Sequence, residues 1–261
     1  MNSRLFIILI FTLLLFNKAR TEDPHYIFFH SHVEDLAGLL TSEQHDSLNL
    51  ILDKIEQETT NQIVIAIIND LEGLKIEVFS IELAERSRIG QKIKNNGILI
   101  LCAMQARQIR IEVGYGLEPI ITDAVASSII DKSIVPHFRK SDFYTGFYEG
   151  IKALKSYLYQ EDVYQYFSIK WDIPSFENFI KKHSGSVMKC DALMYLGRFF
   201  EDKWQDKILK VFGEDERQNS IKYYQQYLIE CPNGIRRQLV EYELSLVSAK
   251  KPDSKKYLIS E

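Results

Sequence analysis

Two long apolar runs constrain the fold of this chain more than any other feature of its sequence. Residues 62–68 form an almost continuous β-branched run, and residues 97–104 form a second apolar run. Such runs, without alternating polar residues, are typical of strands that are buried on both faces of a sheet. Between them, apolar residues at helical spacing predict a helix over residues 76–88. The three segments therefore predict a β-α-β unit.

The next strand shows a different pattern. Residues 108–113 alternate apolar and polar side chains, so one face of this strand is polar. The short connection at residues 105–107 predicts a hairpin with the preceding strand, and hairpin strands pair in antiparallel fashion. The sheet is therefore predicted to be mixed.

Helices are predicted on both sides of this sheet. Thr41 and Gln44 have the spacing of a capping box, which marks the start of a helix. Apolar spacing predicts three helices around the strands: 42–58, 122–132 and 143–158. Residues 33–158 are therefore predicted to form a three-layer α/β/α domain with a small mixed sheet.

The texture of the sequence changes after about residue 162. Aromatic and charged residues dominate, and the β-branched runs disappear. The pattern predicts an all-helical region over residues 162–249, with helices at 174–183, 187–203, 217–230 and 236–249. The last two helices could form a hairpin similar to a tetratricopeptide unit or part of a plain helical bundle. Residues 250–261 are interpreted as a tail.

The N-terminal segment is typical of export. Leu5 to Phe16 carries no charge, and basic residues lie on either side of it. The run is too short to cross a membrane as a helix, so residues 1–20 are interpreted as a signal peptide. Residues 21–32 are interpreted as a solvated linker. The expected location is the periplasm or the extracellular space, with tethering through an uncleaved signal segment as an alternative.

The charge of the chain excludes one class of function. Cleavage after Arg20 would remove three basic residues and no acidic one, which takes the formal net charge from −4 to −7. An acidic surface repels the phosphate backbone, and the sequence contains no basic stripe with interleaved aromatic residues. Nucleic-acid binding is therefore not expected.

The motifs of common cofactor sites and nucleophiles are missing. Gly114 and Gly116 are not followed by the third glycine of a dinucleotide fingerprint, and the sequence has no phosphate-binding loop with its lysine. No nucleotide cofactor is therefore expected. No nucleophile elbow or zincin helix occurs, so any chemistry would rest on carboxylates and a metal. Cys190 and Cys231 could pair in an oxidising compartment or remain buried free thiols.

Several segments of residues 33–158 together resemble the TPM domain family. The most specific is Gly114-Tyr115-Gly116-Leu117-Glu118. The other matching segments are Val33, Asp35, Leu39 and Leu40; Lys94 to Leu99; Arg110 to Val113; Thr122 to Ala124; and Phe138, Arg139, Asp142, Phe143 and Gly146.

The resemblance implies an extracytoplasmic α/β domain. Members of the family include lumenal thylakoid proteins that assist photosystem II repair and many bacterial envelope proteins. Some members are described as acid phosphatases, and calcium binding at an acidic pocket has been proposed. Many members carry Asp at the position of Asn95, so this chain has one acid fewer there.

Four residues are predicted to form the metal site that the resemblance implies: Asp35, Asn96, Glu118 and Asp123. Their oxygen atoms suit Ca²⁺ or Mg²⁺. Three of them also have a structural interpretation, because Asp35 could lie in an ordinary turn, Asn96 could form an Asn-Gly turn and Asp123 could cap a helix. Gly114 and Gly116 are expected to form a backbone turn at the pocket.

These features lead to three functional hypotheses. The first is an interaction, assembly or repair module whose partners are envelope or membrane proteins, with the helical region as a partner surface. The second is a phosphatase that depends on a divalent cation held at the acidic pocket. The third is a structural calcium-binding domain without turnover.

Overall fold

The structure of the chain is a computed structural model that describes Ile27 and residues 29–205 and 214–249. The predicted signal segment, residues 1–20, and the predicted tail, residues 250–261, lie outside this part of the chain. In the described part, four strands form one sheet in the order β1-β2-β3-β4. The strands are Val33–Asp35 (β1), Gln62–Ile68 (β2), Gly97–Ala103 (β3) and Gln108–Val113 (β4).

The pairing of the strands confirms the prediction of a mixed sheet. Strands β1, β2 and β3 run parallel, and β4 pairs with β3 in antiparallel fashion. In the register of the central strands, Gln62 lies opposite Gly97 and Ile68 lies opposite Ala103. The sequence pattern did not predict β1, because a strand of only three residues is too short to show alternation.

Helices cover both faces of the sheet, as predicted. Helix α2 (Ile76–Arg86) packs on one face, where Phe79 and Leu83 contact the odd-numbered residues of β3. Helices α1 (Ser42–Thr59) and α5 (Phe143–Leu158) pack on the opposite face against a larger core. Both central strands are buried on both faces, which explains why they lack alternating polar residues.

The helix predicted over residues 122–132 extends further, to Phe138, and contains a π-helical turn. It begins as α3 (Asp123–Ile129), continues through a π-helical turn (Ile130–Ile134) and ends as α4 (Val135–Phe138). The π-helical turn places Ile134 next to α5, where Gly150 leaves room for it. Phe138 contacts α5 at Gly146, where a side chain would overlap its ring.

The described part of the predicted linker is packed, which corrects its interpretation as a solvated segment. Ile27 is buried with the α2 core, and Phe29 packs against the same cluster. The ring of His32 lies between two carboxylates of α1, with Nδ1 3.0 Å from Asp53 and Nε2 2.6 Å from Glu56. These apolar and charged contacts hold the segment on the domain.

The C-terminal region is all-helical, as predicted. Its helices are Glu161–Ser168 (α6), Ile173–Lys182 (α7), Met188–Gln205 (α8), Glu214–Glu230 (α9) and Arg237–Ser248 (α10). Helix α6 was not predicted. One hydrophobic core runs from the sheet into this region without a break, since Leu154 and Leu158 of α5 share a cluster with Phe167 and Phe176. No helix in the described ranges is both long and apolar enough to cross a membrane.

Candidate functional site

Two turns of the TPM-like segments lie together where β3 begins and β4 ends. The Gly114 amide donates to the carbonyl oxygen of Gly97 at 2.7 Å, and the Gly116 amide donates to that of Asn95 at 2.9 Å. A Cβ atom at Gly114 would overlap the Asn95 carbonyl, and one at Gly116 would overlap the Lys94 carbonyl. Both glycines are therefore required by the close approach of the two backbones.

The side chain of Asn96 bonds the turn before β3 to the neighbouring backbone. Its side chain is fully buried, and its amide nitrogen donates to the Thr60 carbonyl at 2.6 Å. Its amide oxygen accepts from the Gln91 backbone at 2.9 Å. The amide group therefore faces protein backbone on both sides and does not point towards Glu118 or Asp123 as a free ligand.

Asp35 lies at the other end of the sheet from Asn96. It pairs with Ile67 at the end of β2, whereas Asn96 precedes Gly97, which pairs with Gln62 at the start of β2. Six strand residues at about 3.3 Å each separate the two ends by roughly 20 Å. The Asp35 carboxylate instead accepts from the backbone amides of Ala37 and Leu40, at 3.2 and 2.8 Å. The structure does not bring Asp35 into a common site with the other three residues.

Glu118 and Asp123 do lie near each other, with Glu118 on the loop that joins β4 to α3 and Asp123 at the start of α3. Burial raises the pKa of the half-buried Glu118 carboxyl; Arg236 acts against this shift, and the charges of Asp123 and Glu112 add to it. Asp123 is exposed as the first residue of α3, and Thr122 caps this helix by accepting from the Val125 amide at 3.3 Å. Neither carboxylate is needed to cap the helix.

Arg236 enters this loop from the helical region, and sequence reasoning did not identify it. Its guanidinium lies 3.6 Å from the centre of the Tyr115 ring and donates to the Tyr115 carbonyl. It also forms an ion pair with Asp191 of α8, which accepts a hydrogen bond from the Tyr166 hydroxyl. Arg236 and Asp191 are only 6% and 7% exposed. The loop that follows β4 therefore already holds a buried cation supplied by the chain itself.

Lys94 attaches the neighbouring turn to the same region. Its ammonium group donates to the Thr60 hydroxyl at 3.1 Å and to the Phe167 carbonyl, at the end of α6, at 2.9 Å. Burial lowers the pKa of this lysine. Both TPM-like turns are thus bound by the helical region, one through Lys94 and the other through Arg236.

A cavity of about 240 Å³ opens beside Arg236. Its wall includes Pro119 of the β4-α3 loop and the side chains of Val187 and Ile235, which are 51% and 57% exposed. Cys190 and Cys231, which the structure joins in a disulfide, form another part of this wall. The cavity is mainly apolar, with Asp191 and Arg236 at its inner side.

Arg110 and Glu112 form a second polar cluster on the α2 face of β4. The Arg110 guanidinium donates to Glu112 at 2.8 Å and to the Ser80 hydroxyl of α2 at 3.0 Å. Ser80 in turn donates to Glu112 at 3.0 Å. This pair is partly buried and attaches β4 to α2, so it is a structural contact.

The third cysteine is not a candidate nucleophile. Cys102 lies in the buried strand β3, where burial and the charge of Asp35 raise the pKa of its thiol to about 12. A thiol with this pKa carries almost no thiolate at neutral pH, and the thiolate is the reactive form.

Three solved structures are each similar to about half of the chain. The N-terminal domain of a protein from P. gingivalis is 32% identical, covers 48% of this chain and 80% of its own length, and has a TM-score of 0.46. The N-terminal domain of the cg2496 protein from Corynebacterium glutamicum is 15% identical, with coverages of 50% and 82% and a TM-score of 0.41. The BA42 protein from Bizionia argentinensis is 17% identical, with coverages of 49% and 90% and a TM-score of 0.42.

A search of the curated proteins found no match to the chain. The family model described as TPM domain matches residues 33–157, which agrees with the range predicted from the sequence. The chain therefore belongs to the TPM domain family through residues 33–157.

Proposed function

We propose that this protein is an extracytoplasmic interaction module that assists the assembly or repair of envelope proteins. The observation that carries the proposal is what the two TPM-like turns contact. They bind protein groups, Phe167 through Lys94 and Arg236 through Tyr115, and the cavity beside them opens to solvent between apolar side chains. A module of this kind binds partners through a surface and needs no nucleophile.

The disulfide supports a location outside the cytosol. Cys190 and Cys231 are 41 residues apart in sequence, and their sulfur atoms are bonded. Disulfides persist in oxidising compartments such as the periplasm and are rare where thiols are kept reduced. The bond agrees with the export that the N-terminal sequence predicts.

The partner surface is the rim of the cavity. Val187 and Ile235 expose more than half of their side chains on either side of it, and Pro119 brings the TPM loop to the same rim. Burying an exposed aliphatic side chain on binding contributes roughly 1.5–3 kcal/mol. We expect a partner that inserts an apolar side chain here, next to the TPM loop.

The cation-dependent alternatives fit the residues less well. Of the four predicted ligands, Asp35 lies at the far end of the sheet and the Asn96 amide is bonded to backbone on both sides. Glu118 and Asp123 remain; burial raises the pKa of Glu118, and the buried guanidinium of Arg236 lies close enough to act against this shift. These groups do not assemble a ligand set for Ca²⁺ or Mg²⁺, so they do not support a phosphatase reaction at this position.

A photo-crosslinking amino acid at position 187 or 235 tests the partner surface. Leu50 on α1 is 72% exposed and serves as the matched control position. We expect the same envelope protein to be crosslinked from positions 187 and 235 and not from position 50, and Ile235→Asp to reduce crosslinking from position 187. Equal crosslinking from all three positions, or none from the rim, would contradict the proposal.

Point variants suit this test better than truncation. The core that fills the sheet continues into α6 and α7, so removal of residues 162–261 would expose apolar residues of α5 such as Leu154 and Leu158. Loss of a partner in such a truncation would report unfolding as readily as loss of a surface.

A further inference from the structure

We propose that the Cys190–Cys231 disulfide is a redox clasp that holds Arg236 on the TPM loop, so that reduction by a dithiol releases the loop for a partner. The proposal deepens the proposed function and rests on it for the role of the released loop. The release itself depends only on contacts within the chain.

The disulfide fixes both sides of the ion pair that places Arg236. Cys190 precedes Asp191 on α8, and Cys231 directly follows α9, five residues before Arg236. The intervening turn is held by a hydrogen bond from the Gly234 amide to the Cys231 carbonyl at 3.0 Å. The bond between the two sulfur atoms therefore joins the backbone segments that carry the carboxylate and the guanidinium.

The ion pair between Arg236 and Asp191 is expected to depend on the disulfide for its stability. Both charges are almost fully removed from water, and the desolvation of a buried pair can cancel its attraction. The Nε atom of Arg236 is buried and has no hydrogen-bond partner among the described residues, which adds to the free-energy cost of burying the pair. The disulfide restricts the separation of the two segments in all other states, so it favours the docked one.

A reductant can reach the disulfide from the side of Cys190, which is partly exposed, whereas Cys231 is only 3% exposed. Both cysteines line the cavity, whose outer rim is formed by the exposed Val187 and Ile235. A thiolate of a dithiol that enters can attack one sulfur and form a mixed disulfide, and its second thiol then closes the dithiol into its own disulfide. Two electrons and two protons pass to the protein, which leaves Cys190 and Cys231 as thiols.

Release of Arg236 would expose groups that bind a cation. The Tyr115 ring and carbonyl would lose their partner, and the Glu118 carboxylate would lose the nearest positive charge that acts on it. Ring faces and carboxylates bind guanidinium and ammonium groups. The ligand class for the released loop is therefore an arginine or lysine side chain of a partner protein.

Hydrogen exchange of the full chain, oxidised and after treatment with dithiothreitol, tests the clasp. Alkylation with mass spectrometry first establishes that two thiols have formed. Amides of residues 114–121 are then expected to exchange about tenfold faster, which corresponds to about 1.4 kcal/mol in local opening free energy. Amides of β2 are expected to keep their protection.

Two variants separate the clasp from a general stabiliser. Arg236→Gln in the oxidised protein is expected to speed exchange of residues 114–121 by a similar factor, while Arg237→Gln, which removes a 38%-exposed neighbour bonded to Glu241, leaves it unchanged. In a Cys190→Ser, Cys231→Ser protein, dithiothreitol should have no further effect.

Three results would overturn the proposal. In one, two thiols form while exchange of residues 114–121 stays the same. In another, the disulfide resists dithiothreitol until the protein unfolds. In the third, β2 loses protection together with the loop, which would make the disulfide a global stabiliser. None of these results depends on a partner, so failure of the clasp is distinct from failure to find the envelope protein.

Discussion

The sheet domain and the helical region bury their interiors in different ways. Strands β2 and β3 contribute only apolar side chains to the two cores that they separate. The helical region instead buries polar groups in pairs, in which the hydroxyls of Tyr166 and Tyr224 donate to carboxylates and Arg236 binds Asp191. Apolar burial depends little on pH or redox state, whereas paired polar burial depends on every partner being present. The buried polar pairs of the helical region are therefore more sensitive to pH and redox state than the apolar cores of the sheet.

The largest expected effect comes from the sheet. Ile100→Ala removes a fully buried side chain of β3 and should destabilise the protein by about 2–5 kcal/mol, from lost burial and the cavity left behind. Denaturant unfolding measures the change, with the exposed Leu50→Ala as control. A loss of less than 1 kcal/mol, on the order of a surface substitution, would show that the sheet is not the rigid half of the molecule.

A polar pair of the helical region should give a smaller loss. Tyr224→Phe leaves the buried carboxylate of Glu201 without the hydroxyl that now donates to it at 2.5 Å. Loss of one partner of a buried charged group costs about 1–3 kcal/mol. Thermal unfolding of this variant is compared with Tyr242→Phe, which alters a 46%-exposed tyrosine. Equal stability of both variants would remove the contrast between the regions.

The His32 contact with α1 provides a pH test within the sheet domain. Its hydrogen bond to Glu56 raises the pKa of His32 above the ordinary value of histidine, although burial acts in the opposite direction. Because the folded pKa is raised, the stabilisation is present in full below the unfolded value and is lost as pH rises through the folded one. The stability difference between wild type and His32→Gln should therefore be largest below about pH 6.5, the ordinary pKa of histidine, and shrink as the pH rises above it.

The matched control for this pH test is His30→Gln, because that ring is exposed and its contact with Glu34 is long, at 3.5 Å. The free energy of unfolding of wild type and of each variant is measured across the same pH range. A difference for His32→Gln that stays constant with pH would mean that the charge of the ring contributes nothing.

The smallest expected effect is that of divalent cations. The predicted ligands do not assemble, so EDTA, Ca²⁺ and Mg²⁺ should leave the melting temperature of wild type and of Asp123→Asn the same. A ligand that binds the native state must raise apparent stability, so a shift that Asp123→Asn abolishes would revive the calcium and phosphatase hypotheses.

Local patterns predicted the sheet domain well. The bounds of β2 and β4 agree with the predicted runs, because side-chain alternation and burial act over a few neighbouring residues. Helix α2 ends two residues early, before Arg88, which has a positive φ of 53°. The missed strand β1 had a consequence for the site: without it, Asp35 could not be assigned to the far end of the sheet.

The contacts of the helical region lay beyond local patterns. Arg236 is 121 residues from Tyr115, and no periodicity or spacing in the sequence joins them. The same holds for Cys190 and Cys231, whose pairing the sequence left open. Long-range polar partners depend on how the elements pack, which a single sequence read segment by segment does not contain.

The π-helical turn between α3 and α4 contains one residue more than the same stretch of a regular α-helix would contain. Each residue of an α-helix turns the chain by about 100°, so deletion of Asp131, which lies within the turn, would rotate everything that follows by this amount. Phe138, whose ring lies 5.1 Å from those of Phe143 and Phe147, would then face away from Gly146. A single extra residue thus sets the direction in which the second half of this helix faces α5.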